Sequence, residues 1–404
     1  MKKTTLFIAA LSFTFACGSQ QNSKQTDAAD ANKTNAAKKD STELSTNRKG
    51  VHRTINRELN DMARYIAGME IPAGTKLDSS LLKNKDWKNY AKTLDVAFAK
   101  LETEHLSKMR PWVQNELTPL KTKALFYPFA GADMLNAYTL FPNASSYYMI
   151  GLEPVGTPPD FKKIYKSKDL SHYLGTVNQS LESIINFSFF RTKSMAVEFH
   201  QSDVNGTMHV ILLFLERTGN SILDIKPVAV KPSGELITYA SFAEAQKDTI
   251  KNKGARIDFI SSDSTEHSVT YFSIDLSNGA FPKNTGFKTY IKKQEADVTY
   301  IKSASYLMHK AYFSDIRSTI LDNSRAILQD DSGIPWKIFN DSTCTVTLYG
   351  AYTGTISIFP HNFQKDLDDA YKKEPGKSKV KDLPFGIGYK YIKGESNLML
   401  SIRK

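Results

Sequence analysis

Hydrophobic positions recur with a helical period at the start of the globular part of the chain. Ile55, Leu59, Met62 and Ile66 follow one another at spacings of four, three and four, so they share one helix face, and Gly68 closes the segment. Trp87, Tyr90, Leu94, Ala97, Leu101 and His105, with Phe98 alongside, form a longer stripe. It predicts a helix from Asp86 to Met109, with Pro111 marking its end and His105 as a packed side chain at its margin.

The period then changes. Ala124 to Phe129 predicts a strand, Met134 to Leu140 a short helix and Ser146 to Leu152 a second strand, which is the outline of a βαβ unit on a parallel sheet. A helix from Asp169 to Arg191 follows. Met208 to Leu215 is an unbroken apolar run and reads as a strand buried on both faces. Strands are expected at Ile222 to Val230, Leu236 to Tyr239, Arg256 to Ser261, Ser268 to Leu276 and Val298 to Ile301. Beyond these come a helical stretch from Ser303 to His309 and a helix N-capped by Ser314 that carries Ile316, Ile320 and Ile327. A hairpin of Thr345 to Tyr349 with Gly354 to Phe359 is next, then a helix marked by Phe363, Leu367 and Tyr371 and a terminal strand from Leu398 to Ile402. The expected fold class is α/β, a mixed sheet with interleaved helices, preceded by an N-terminal helical section over 51–120. Residues 51–404 read as one large domain, with a boundary near residue 200 as the alternative.

The first fifty residues follow another logic. Met1-Lys2-Lys3 is a basic start, and Leu6 to Ala16 is an apolar stretch of signal-peptide length, well short of the ~20 residues a spanning helix needs. Ala16 precedes Cys17, and Gly18-Ser19-Gln20-Gln21 follows. The arrangement resembles the lipobox of bacterial lipoproteins. That resemblance implies removal of residues 1–16, acylation of Cys17, and a membrane-anchored location in the cell envelope, facing the periplasm or the surface. Residues 17–50 lack any aromatic side chain and are rich in Asn, Ser, Thr, Gln, Ala and Lys, so they read as a disordered tether.

Two cysteines in 404 residues exclude a disulfide scaffold and any multi-cysteine metal centre. With Cys17 lipidated, Cys344 is the remaining thiol, in a β-prone run where a small packed residue is expected. The net charge of +11 falls to +9 when Lys2 and Lys3 leave with the signal segment. The basic residues are spread along the chain, the Lys372 to Lys381 segment being a solvated loop, so nucleic acid is not an expected partner. An anionic lipid surface, or envelope glycans stacked on some of the 23 Phe and 19 Tyr, suits an envelope protein better.

Candidate chemistry sits where strands end. Asp133 follows the first strand of the βαβ unit and Glu153 the second, so a parallel sheet brings both to one edge, where open α/β folds bind ligands. Two carboxylates there suit acid–base work or a divalent cation, although Asp133 also suits a plain helix cap. Asp330 and Asp331, beside Ser332-Gly333-Ile334-Pro335, read as turn residues or as the wall of a polar pocket. His309 and His361 belong to no metal-ligand spacing, and no nucleophile elbow, phosphate loop or dinucleotide fingerprint occurs, so no cofactor or metal is assigned. Phe126 to Gly156 resembles segments of bacterial proteins that carry no assigned function, and Lys302 to Pro335 is similar to the same set. This resemblance implies one coherent family domain and brings no activity with it. Two functions are expected from these features: a lipid-anchored binding or envelope-associated protein, or a hydrolase of envelope material with Asp133, Glu153, Asp330 and Asp331 around one pocket.

Overall fold

A computed structural model describes residues 53–166, 170–187, 204–339, 342–372 and 380–404. The signal segment, Cys17, the tether and most of the Lys372 to Lys381 loop lie outside the described residues. The chain from His52 onward forms one compact unit. It begins with helices: α1 (Arg57–Ile66), α2 (Ser79–Lys83), α3 (Lys85–Leu101) and α4 (Ser107–Glu116). The sheet starts with β1 (Ala124–Tyr127), α5 (Met134–Leu140) and β2 (Ser146–Gly151). Then come α6 (Phe161–Lys166), α7 (Leu170–Phe187), α8 (Met208–Arg217), β3 (Ser221–Val230), β4 (Leu236–Thr238) and α9 (Phe242–Lys247). These lead to β5 (Asn252–Ile260), β6 (Glu266–Ser273), α10 (Thr285–Lys293), β7 (Val298–Ile301), α11 (Ser314–Asn323) and β8 (Ala326–Gln329). The chain closes with β9 (Cys344–Gly350), α12 (Lys365–Lys372), β10 (Val380–Lys381) and β11 (Asn397–Arg403).

Among the described residues the strands form one mixed sheet of eleven, in the order β10-β9-β11-β8-β7-β1-β2-β6-β5-β3-β4. Its centre, β8-β7-β1-β2-β6, is parallel throughout. β11 returns antiparallel between β8 and β9, and β5, β3 and β4 extend the other side antiparallel. The fold class is the expected α/β. Side chains alternate across the sheet as strand geometry requires. Leu125 and Tyr127 join the core shared with α1, α3, α4, α7 and α8, whereas Phe126 joins the one beneath α10 and α11. Both faces are therefore covered, which is why β1, β7 and β8 are buried at every position.

Several local expectations need correction. Met208 to Leu215 is helix, not strand: α8 is buried from Met208 to Glu216 and packs on α1, α5, α7 and β3. A continuous apolar run carries no period, and this one is rich in the helix formers Leu and Met. Pro111 does not end a helix but lies within α4, after a π-helical turn at Glu102–Leu106. It deprives the rod of the bond to the Ser107 carbonyl, next to a turn whose bonding is already relaxed. Ser314 is the first residue of α11 and not its cap. Asn278 does that work from a distance, accepting from the Asp315 N–H (3.1 Å) and donating to Ser314 Oγ (2.8 Å). α11 stops at Asn323, so Ile327 belongs to β8. Gly354 to Phe359 forms no strand, because β9 already has β10 and β11 as its neighbours. From Ser303 to His309 only a single 3-10 turn forms, at Leu307–His309.

Candidate functional site

β1 is the strand from which the connections diverge. The chain leaves it through α5 to β2 on one side, while β7 lies on its other side. Such a switch point opens a crevice beyond the carboxyl ends of the strands. A cavity of about 140 Å³ lies there, lined by residues following β1, β2, β6 and β7. Its charged lining residues are Asp133, Glu153, Asp275 and Lys302, three carboxylates against one ammonium in a basic protein.

Asp133 has both roles open to it in sequence terms. Its Oδ1 caps α5 by accepting from the Asn136 N–H (3.2 Å) and also takes Asn136 Nδ2 (2.9 Å). Its Oδ2 accepts from the Tyr127 hydroxyl (2.8 Å) and pairs with Lys302 Nζ (2.7 Å), both charged side chains being 2% exposed. Burial and the Asp133 charge push the Tyr127 hydroxyl well above its ordinary pKa, so it stays a donor. The sequence reading missed Lys302. The available signal was its position immediately after β7, inside a stretch already singled out.

Glu153 is also buried, and its Oε2 accepts from the Leu152 N–H (3.1 Å) and the Tyr271 hydroxyl (3.3 Å). Asp275, after β6, is exposed and holds the Ser277 N–H (2.8 Å). Gly151 makes the close approach possible: a Cβ there would sit 2.4 Å from Tyr271 Oη and 2.5 Å from Glu153 Oε2. Left-handed backbone clusters around the cavity. Phe129 has φ +59°, and Ser303, Ser305 and Tyr306 each have φ +52°. Such conformations in non-glycine residues persist only where neighbours hold them, and they concentrate at binding sites.

The four carboxylates singled out from sequence divide into two pairs. Asp133 and Glu153 line the cavity, whereas Asp330 and Asp331 line a separate recess with Gln364, Tyr371 and Asn397. Asp330 accepts from the Ser303 N–H (2.8 Å) and from Ser332 N (3.0 Å) and Oγ (2.5 Å). Asp331 accepts from Tyr306 Oη (2.5 Å) and Asn397 Nδ2 (3.0 Å). Burial raises both carboxyl groups above the usual range, and for Asp330 the Asp331 charge adds to it.

His309 packs edge-on against Tyr306, and burial lowers its pKa to about 4, which leaves it neutral. His361 is exposed in a 3-10 turn. Cys344 is buried with Val346, Leu348 and Met399. Among the described residues no three His, Cys, Asp or Glu side chains converge as metal ligands, and no helix is long and apolar enough to cross a membrane.

The fold and the crevice define a doubly wound α/β protein with an acidic pocket at its switch point. No family model, curated protein or solved structure matches the chain.

Proposed function

We propose that the chain is a lipid-anchored envelope protein whose folded unit binds a small nucleoside-bearing ligand without phosphate on the α5 end. The acidic lining of the switch-point cavity carries this reading. In doubly wound folds an acidic side chain near the end of the second strand accepts a ribose hydroxyl, and Glu153 stands at that place. Those folds also seat a pyrophosphate on the helix after β1. Here the Asp133 carboxylate occupies that helix end and has already engaged Lys302, so further negative charge is disfavoured. A neutral or cationic group suits the cavity better. Its enclosed volume is below the ~300–1,000 Å³ of drug-sized pockets, so one moiety is enclosed and the rest lies in the mouth.

Calorimetric titration of the mature protein with adenosine, S-adenosylmethionine, ATP and NAD tests the pocket. The two phosphate-free ligands are expected to bind, the cationic one more tightly, and Glu153→Gln to weaken both by about tenfold or more. Preference for ATP or NAD, or silence with all four, would overturn the reading.

The anchor rests on the apolar Leu6 to Ala16 stretch ending at Cys17. The chain's surplus of basic residues suits an anionic lipid surface. Metabolic labelling with a fatty-acid analogue is expected to mark the wild-type chain and to vanish in Cys17→Ala. Label retained in that variant would place the lipid elsewhere, and an unlabelled wild-type chain would overturn the anchor.

A further inference from the structure

We infer that Asp330, Ser332 and Tyr389 are positioning residues for the switch-point pocket, acting through the left-handed loop Lys302 to Tyr306 that forms one wall of it. The inference rests on the ligand-binding reading above for its purpose, but its geometry stands without it. Three successive N–H groups of the loop are each taken by a side chain from elsewhere. Ser303 N donates to Asp330 Oδ2 (2.8 Å), Ala304 N to Ser332 Oγ (2.7 Å) and Ser305 N to Tyr389 Oη (3.0 Å). Tyr389 Oη in turn donates to the Ser303 carbonyl (2.8 Å). Gly388 permits the approach, since a Cβ there would lie 2.5 Å from Asp330 Oδ2. Behind them Asp331 ties Tyr306 to Asn397 on β11. The loop so held carries Lys302, the partner of Asp133, and Ser303, Ala304 and Ser305 line the cavity directly.

The bracket is sensitive to protonation. As a carboxylate, Asp330 accepts three hydrogen bonds; with a proton on Oδ2 it meets the Ser303 N–H with a second donor. The groups facing the pair from neighbouring elements leave little else to titrate between about pH 5 and pH 8. Tyr306, Tyr389, Tyr300, Tyr127, Tyr352 and Tyr371 have hydroxyls raised by burial and stay neutral. His309 is held neutral by burial, the Lys390 charge acts on Asp331, and Asp133 is paired with Lys302. Burial raises both acids above their unfolded values, so the folded state binds the proton more tightly. The contribution of the pair to stability is then lost as pH rises through the folded values. Ligand affinity is expected to run the other way, falling as the pair takes up a proton.

Hydrogen exchange of the ligand-free mature protein across 302–307, with nucleoside titrations from about pH 8 to about pH 5, tests this. Asp330→Asn, which presents an amide in the protonated shape, is expected to raise loop exchange roughly tenfold, to weaken binding by about tenfold, and to flatten its pH dependence. Tyr389→Phe removes a non-titrating member of the bracket, so it should weaken binding while leaving the pH dependence intact. Loop exchange unchanged in both variants, or an Asp330→Asn pH profile parallel to the wild type, would overturn the inference. Altered exchange in a protein that binds no nucleoside would instead retain the bracket and remove the ligand reading.

Discussion

Replacing Lys302 with methionine is expected to lower the free energy of unfolding by about 3–5 kcal/mol, measured by urea denaturation. Asp133 and Lys302 are both 2% exposed, and neither has bulk water to turn to when its partner is removed. The methionine fills most of the lysine's space, so the loss is that of a buried carboxylate without its counter-charge. Three donors remain on Asp133, from Tyr127 and from the backbone and side chain of Asn136, and they set the loss toward the lower end of the range. Adding Asp133→Asn to Lys302→Met is expected to restore most of it. The amide keeps an acceptor for the Asn136 N–H, and the Tyr127 hydroxyl can turn to accept from the new amide. The double-mutant cycle therefore reads the coupling of the two charges directly. A single-variant loss below about 1 kcal/mol would mean that Asp133 is solvated from the cavity, as exposed pairs are.

That pair also marks the limit of what the amino-acid pattern discloses. The unit from Ala124 to Gly151 was legible because each of its elements is short, periodic and followed by its neighbour in space. Asp133 and Glu153 were legible with it, since a carboxylate just after a parallel strand has one edge to occupy. Lys302 was not, because a lone lysine after a strand reads as a solvated surface residue until the strand order places β7 beside β1. Asp330 and Asp331 were visible as an unusual pair, yet adjacent side chains diverge, and nothing local says which of them holds the loop after β7. α8 was misread for a different reason: a run apolar on every side has no period, and its Leu and Met content together with the packing of α1, α5 and α7 around it favours helix over strand. The cap of α11 comes from Asn278, on a separate loop, and no local motif announces it.

Gly151→Ala is expected to cost about 1–3 kcal/mol of stability and to weaken nucleoside binding by about tenfold or more, read from denaturation and titration of the same preparation. The added methyl would stand 2.4 Å from Tyr271 Oη, 2.5 Å from Glu153 Oε2 and 3.2 Å from the Gly131 nitrogen. Tyr271 is 2% exposed and bonded to the Glu153 carbonyl as well as to its carboxylate, so it cannot retreat into solvent. The movement must fall on Glu153, whose carboxylate is the proposed ribose acceptor, or on the loop that carries Gly131. Gly175→Ala supplies the contrast. It lies within α7, is exposed and has nothing within 4 Å of its missing Cβ, so alanine there is expected to add about 0.5–1 kcal/mol and leave binding unchanged. If Gly151→Ala lost stability yet bound the nucleoside as the wild type does, Glu153 would be a structural carboxylate and the ligand would sit nearer β6 and Asp275. A joint loss ties the second strand's carboxyl end to the ligand, because the same methyl group disturbs the strand end and its acid together.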